Sequence, residues 1–138
     1  MVKGVIIGLM IGMMASSSWA NDSIPVETIV LEAQGESLEG QVAVGEVIRN
    51  RAKGGRRSVE EVCLAPYQFS CWNDRQEARN RLNGVSGEVI QRAWMAWEMS
   101  GDYHRGFTHY HRHDIMPYWA KGHEGIRIGN HVFYKGIN

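Results

Sequence analysis

The chain has 138 residues, of which 43% are hydrophobic, and this size and composition suit one domain with its own core. Its 15 Lys and Arg residues balance 15 Asp and Glu residues, so it has no basic surplus of the kind that binds nucleic acid. We therefore expect a single domain that acts as a monomer and does not bind nucleic acid.

The first twenty residues have the pattern of a secretory signal peptide. Lys3 precedes an apolar stretch over residues 4–15, and Ser18 and Ala20 are small residues at the two positions that signal peptidase reads. The stretch is shorter than the roughly 18 apolar residues of a membrane span. We predict a signal peptide over residues 1–20, with a retained signal anchor as the alternative. Residues 21–138 would then be exported to the periplasm, the envelope or the medium, and only the leader would touch the membrane transiently.

The sequence pattern predicts helices in the first half of the exported part. Apolar spacing predicts a helix over Ile24–Leu31, which Gly35 ends, and Ser37 is placed to cap a second helix from Leu38 to about Ala52, ended by Gly54-Gly55. Three further helices are predicted, and they open with a capping box at Ser58, with Asp74, and with Ser86.

The last third of the chain changes to a strand pattern. The segment FTHYH predicts one strand, and IRI and HVFYK flank Gly129-Asn130, a two-residue hairpin signal. The predicted fold class is therefore α+β, in one small domain that is mainly helical with a late β-hairpin.

Two carboxylates, Glu32 and Glu36, flank the predicted break between the first two helices. A carboxylic acid at the end of an apolar helix is partly desolvated, and desolvation favours the protonated form that a general acid needs. The alternative is that both are solvated charges at a helix end.

Cys63 and Cys71 are the two cysteines of the chain, and export to an oxidising compartment favours a disulfide between them. Zinc binding is the competing interpretation, because His109, His111 and His113 alternate and would share one face of a strand. No Cys-x-x-Cys or His-Glu-x-x-His element completes a tetrahedral ligand set. We therefore expect no metal and no other cofactor.

Five sequence blocks occur in a fixed order: EAQGE, GQVAVGEVIRNR, QFSCW, HYH with PYWA, and IGNHVFYK. In this order they resemble the SleB/CwlJ-type cell wall hydrolases, over Val26 to Tyr134. The resemblance implies a lysozyme-like or lytic-transglycosylase-like catalytic domain. It also implies cleavage of the peptidoglycan glycan strand between N-acetylmuramic acid and N-acetylglucosamine.

The resemblance also implies roles for individual residues. Glu32 matches the family's catalytic glutamate, and Glu36 matches a second acidic position with a supporting role. The implied substrate-binding residues are Gln68, Phe69, Ser70, Trp72, Tyr110, Trp119, Asn130 and His131. The segment HYHRHDIMPYWA departs from many spore enzymes, so the resemblance does not indicate which muramic acid modification is preferred.

The residues leave more than one reaction open. A lytic transglycosylase needs one acid, because the muramyl C6 hydroxyl attacks internally, whereas a hydrolytic muramidase needs a second carboxylate across the sugar ring. Asp74, Asp102 and Asp114 are further acids that folding would have to bring close. An amidase, which would usually need zinc, and a noncatalytic wall-binding module are the other two classes. One strongly placed glutamate favours the transglycosylase.

Overall fold

The break between two helices fixes the position of both glutamates predicted from the sequence. In the computed structural model, which describes residues 23–137, the first helix (α1) occupies residues 23–33 and a turn occupies residues 34–36. The predicted signal peptide, residues 1–20, lies outside the described residues. The helices that follow are α2 (Leu38–Gly55), α3 (Val59–Leu64), α4 (Arg75–Asn83) and α5 (Gly87–Ser100).

A small antiparallel sheet follows the helices. Its strands are β1 (Phe107–Arg112), β2 (Ile126–Ile128) and β3 (His131–Lys135), in the spatial order β1-β3-β2. Tyr110 pairs with Phe133 across the first strand pair, and Ile128 pairs with His131 across the second. The predicted Gly129-Asn130 turn is thus confirmed, and FTHYH adds the third strand to the hairpin.

Helix α2 is the central element, and its ends are set by two different caps. The Ser37 hydroxyl accepts a hydrogen bond from the Gly40 N–H, as the sequence predicts. The predicted last residue, about Ala52, is three residues short, because the helix continues to Gly55. Both glycines remain helical, because the Arg56 N–H still donates to the Ala52 carbonyl, and Arg56 ends the helix in the left-handed conformation (φ 54°).

Close packing of α2 against α5 depends on a glycine. A Cβ built on Gly45 would lie 2.8 Å from the Ser100 hydroxyl, so a larger residue would push the helices apart. Arg49 closes the same interface, because its Nε donates to the Ser100 hydroxyl (2.8 Å) and its Nη2 donates to the Trp97 carbonyl (2.8 Å).

Helix α2 also anchors the sheet. The Asn50 side chain donates to the Phe107 carbonyl (2.8 Å), and Arg51 Nε donates to the Thr108 carbonyl (2.7 Å). These bonds hold the start of β1 against the helix, and the sheet thereby lies beside the break after α1. Within residues 23–137, no helix combines the length and apolar character that a membrane crossing needs.

Candidate active site

Glu32 lies in the last turn of α1, half-buried, at the wall of an open groove. The Tyr110 hydroxyl donates a hydrogen bond to Glu32 Oε1, although the two residues are 78 positions apart. The Cys71 thiol lies close to the same carboxyl group, whose charge, after burial, raises the pKa of this thiol. The Tyr110 hydroxyl therefore holds the Glu32 carboxyl group in one place.

Tyr110 is itself fixed by rings of the sheet. Its ring lies 5.0 Å from the His131 ring, edge to face, and 5.3 Å from the Phe133 ring. Burial, and then the adjacent Glu32 charge, raise the pKa of Tyr110 well above its usual value. The phenol therefore stays protonated at neutral pH and remains a hydrogen-bond donor to Glu32.

Glu36 is held differently, by the hairpin turn. The Asn130 backbone N–H donates to Glu36 Oε1 (2.8 Å), and the Asn130 side-chain amide donates to Oε2 (2.9 Å). Burial acts to raise the pKa of Glu36, but the Asn130 hydrogen bonds and the nearby His131 outweigh it, so the pKa lies below the usual value. Glu36 is therefore an ionised carboxylate with both oxygens occupied.

Gly129 makes this arrangement possible. It adopts φ +62°, and a Cβ at this position would lie 2.5 Å from Glu36 Oε1. Only glycine gives both the left-handed backbone and the space for the carboxylate.

His131 lies between the two glutamates and is buried, with 7% of its surface exposed. Its Nδ1 is 3.8 Å from Glu36 Oε1, too far for a hydrogen bond, and has no other partner among the described residues. Burial lowers the pKa of His131, although Glu36 and Glu32 act in the opposite direction. The ring is therefore neutral at neutral pH, and its contact with Glu36 is not an ion pair under these conditions.

The groove around Glu32 continues in both directions. On one side it is a space of about 290 Å³ between the helix break and the hairpin turn, with Glu36, Arg112, Asn130 and His131 in its wall. On the other side it opens into spaces of about 350 and 310 Å³, lined by residues that include Arg51, Gln68, Ser70, Tyr110 and Trp119. Glu32 therefore stands near the middle of a channel that a linear polymer could follow.

Six of the eight predicted substrate-binding residues line this groove. Gln68 and Ser70 lie beside Tyr110, and Trp119 lies at the far end, where its ring is 5.2 Å from the His109 ring. Asn130 and His131 lie at the opposite end. Sequence reasoning missed Arg51, Tyr67, His111 and Arg112, which also line it.

The other two predicted residues, Phe69 and Trp72, belong to the core. They are 3% and 5% exposed, and neither lines the groove at Glu32. The Trp72 indole N–H donates to the Thr28 hydroxyl (2.8 Å), which satisfies its polar group inside the protein. This corrects their assignment to the substrate loop: their ring area stabilises the fold beneath that loop.

The predicted disulfide is not formed, because Cys63 and Cys71 are both free thiols. Cys63 lies close to the Thr28 side chain, and Cys71 lies close to Glu32. Burial raises the pKa of Cys63 to about 12, and burial and the Glu32 charge raise that of Cys71 as well.

The three alternating histidines do not all lie in the same surroundings. His109 and His111 pack against Trp119, and His111 Nε2 lies 2.8 Å from the Tyr134 hydroxyl. His113 is exposed beyond β1. Across residues 23–137, no three His, Cys, Asp or Glu side chains are grouped as metal ligands.

Comparisons with known proteins agree with this fold. The sequence model of the cell wall hydrolase family matches residues 35–134, so Glu32 lies just before the matched region. The crystal structure of the catalytic domain of the Bacillus cereus SleB protein is similar, with a TM-score of 0.59 and 25% identity over 84% of this chain and 91% of that one. The search of curated proteins gave no match. Since the family model covers most of the chain and the fold agrees, the protein belongs to the SleB/CwlJ-type cell wall hydrolases.

Proposed function

We propose that this enzyme cleaves the peptidoglycan glycan strand between N-acetylmuramic acid and N-acetylglucosamine as a lytic transglycosylase. The observation that carries the proposal is the difference in hydrogen bonding between the two glutamates in the groove. Glu32 accepts from the Tyr110 hydroxyl through Oε1, whereas both oxygens of Glu36 accept from Asn130.

Glu32 would act first as an acid and then as a base. Its proton passes to the glycosidic oxygen, and the bond from that oxygen to the muramyl C1 breaks, releasing N-acetylglucosamine. The Glu32 carboxylate then takes the proton of the muramyl C6 hydroxyl, whose oxygen bonds to C1 and closes a 1,6-anhydro ring. One residue suffices because the nucleophile belongs to the substrate, which also gains the advantage of proximity over a captured water.

Glu36 would support this chemistry without taking part in it. A retaining hydrolase needs a second carboxylate that is free to attack C1, and an inverting one needs a carboxylate that activates water. Glu36 is hydrogen-bonded through both oxygens to Asn130, so it is poorly placed for either role. It would instead fix the hairpin turn against the helix break, and so set the width of the groove.

The other acids predicted from the sequence do not line the groove at Glu32. Asp74 caps α4 by accepting from the Glu77 N–H, and Asp114 is paired with Arg112 at 3.0 Å. Asp102 is exposed after α5. These positions favour the single-carboxylate route over the hydrolytic muramidase, which is the second candidate.

Export through residues 1–20 would bring the enzyme to its substrate in the cell envelope. The chain would act there as a monomer without a cofactor, since the proposed chemistry needs only protein side chains and the muramyl hydroxyl. Binding of nucleic acid forms no part of this function.

The proposal is tested by comparing Glu32→Gln with Glu36→Gln on purified sacculi. Glu32→Gln keeps the shape of the side chain but removes the acid, so activity should fall about 10²-fold or more while thermal stability stays the same or rises. Glu36→Gln should be milder. A fully active Glu32→Gln protein would refute the assignment.

Two further measurements, of the released products and of chelator sensitivity, distinguish this enzyme from an amidase and from a wall-binding module. Mass spectrometry of the released muropeptides should find cuts in the glycan strand, whereas an amidase would release free peptides and lose activity to a chelator. A wall-binding module would cut neither bond. Peptide release that a chelator abolishes would therefore replace our proposal with the amidase.

A further inference from the structure

Tyr67 combines an exposed side chain with an unfavourable backbone. Its exposure is 94%, and its φ is +64°, in the left-handed region that residues with a Cβ other than Asn and Asp seldom adopt. Packing does not compensate for this conformation, because an exposed ring buries little apolar surface. A tyrosine at this position does not stabilise the fold, so we expect it to serve a function.

The local turn shows where the unfavourable conformation comes from. The Gln68 N–H donates to the Ala65 carbonyl (3.3 Å), which closes a four-residue turn with Pro66 second and Tyr67 third. Proline in the second position followed by a positive φ is the pattern of a type II turn, whose third position normally holds Gly or Asn. Here that position holds a large aromatic residue.

The turn is held at its C-terminal end, after Tyr67. Arg51 Nη1 donates to the Gln68 carbonyl (3.4 Å) and to the Gln68 side-chain oxygen (3.3 Å), and the next residue, Phe69, is buried in the core. The backbone directly after Tyr67 is thus fixed, which limits relaxation of the Tyr67 conformation. Strain that the surroundings enforce in this way is typical of functional positions.

Tyr67 stands where three spaces meet. It lines the groove at Glu32 with Gln68 and Ser70, and it lines the adjoining space that Trp119 closes. On its other side it borders a separate cavity of about 340 Å³, lined by residues that include Leu64, Pro66 and Asn73. The ring is therefore the rim between the catalytic groove and this third cavity.

We propose that Tyr67 is a sugar-binding residue, whose ring stacks against a saccharide of the glycan strand beyond the bond that is cleaved. The inference rests on the proposed function, since it takes the glycan strand as the occupant of the groove. A sugar ring offers a flat C–H face that suits an aromatic surface, and a tyrosine loses little conformational freedom when it is covered. The continuity of the Tyr67 rim with the groove at Glu32 favours the strand over an unrelated partner.

The experiment measures binding without turnover. In a Glu32→Gln background, Tyr67→Asn and Tyr67→Trp are compared by cosedimentation with purified sacculi. Asn tolerates the left-handed backbone but removes the ring, and Trp keeps an aromatic surface. Tyr118→Asn is the matched control, because Tyr118 is also highly exposed (88%) but does not line the groove.

Tyr67→Asn should weaken binding about three- to ten-fold, the range expected for a lost aromatic contact, while its melting temperature rises. Tyr67→Trp and Tyr118→Asn should bind like the parent. In the active enzyme, Tyr67→Asn should raise KM for sacculi and leave kcat unchanged, as for a residue that binds away from the reacting bond. A purely structural role would lower the melting temperature and would not separate KM from kcat.

Two results would overturn the inference. Binding by Tyr67→Asn equal to that of the parent, or an equal loss in Tyr118→Asn, would refute it while leaving the proposed function intact. A parent protein that does not cosediment with sacculi at all would refute both, because the glycan strand would then not be the ligand.

Discussion

Glu36 binds Asn130, 94 residues further along the chain, through both of its carboxylate oxygens. The contact joins the break between α1 and α2 to the turn between β2 and β3, and these two segments form one end of the groove. The second acidic residue of the EAQGE block is thus a fixed structural anion, whereas Glu32 accepts a hydrogen bond from Tyr110 through Oε1.

Gly129→Ala should disrupt this end of the groove. A left-handed backbone costs an alanine about 1–2 kcal/mol, and here the added Cβ also collides with Glu36 Oε1 at 2.5 Å. Gly122→Ala is the control, because Gly122 has φ +81° but open space around it. We expect urea unfolding to show a larger loss of stability for Gly129→Ala, together with reduced activity. Equal losses in the two variants would mean that the collision with Glu36 is relieved without cost.

The stability that Glu36 provides should depend on pH. Its folded-state pKa lies below the unfolded value of 4.5, so its ionised form stabilises the fold above that value, and this contribution is lost as the pH falls through the folded-state pKa. The melting temperature of the wild type should therefore exceed that of Glu36→Gln at neutral pH, and the difference should shrink in acid. Glu98→Gln, exposed on α5, is the control substitution. A difference that grows below pH 4 would contradict the assignment.

Tyr110→Phe should impair catalysis more than folding. A hydrogen bond to a charged group contributes about 1.5–3 kcal/mol, so losing the donor that positions Glu32 should lower kcat about 10- to 100-fold. Tyr134→Phe is the matched control on the neighbouring strand, because its hydroxyl bonds His111 and does not contact Glu32. Steady-state rates on sacculi that fall equally in both variants would show that the Glu32 contact has no special role.

The free thiols give a direct prediction of reactivity. The thiolate is the reactive species, and burial raises the pKa of both Cys63 and Cys71, so iodoacetamide should label the folded protein slowly at neutral pH. After denaturation without reductant, protein from its native compartment should show two labelled cysteines by mass spectrometry. A protein that labels only after reduction would contain the disulfide that export alone predicts.

Local patterns predicted most of the fold. The caps at Ser37 and Ser58, and the Gly129-Asn130 turn, depend on residues within a few positions, so the sequence carries their signal directly. Helix α2 continues three residues beyond the predicted Ala52, to Gly55, because the Ala52 carbonyl still accepts a hydrogen bond from the Arg56 N–H.

The site was harder to predict, because its contacts are distant in sequence. The position of Glu32 at a helix end makes it a candidate, but its partner Tyr110 is 78 residues away, and no local pattern indicates that contact. Aromatic residues such as Phe69 and Trp72 suit a core and a sugar groove equally, so only the fold separates these roles. No local pattern indicates the hydrogen bonds that Arg51 donates to Thr108 and Gln68, because these residues are distant from it in the sequence.

The central claim is that Glu32 works without a second carboxylate, so that no water enters the product. Digestion of sacculi in H₂¹⁸O tests this most directly, with the new muramyl ends examined by mass spectrometry. We predict 1,6-anhydromuramyl ends that resist borohydride, are lighter than reducing ends by one water, and carry no heavy oxygen. Reducible muramic acid ends labelled with ¹⁸O at C1 would contradict the account, and would require a second carboxylate opposite Glu32.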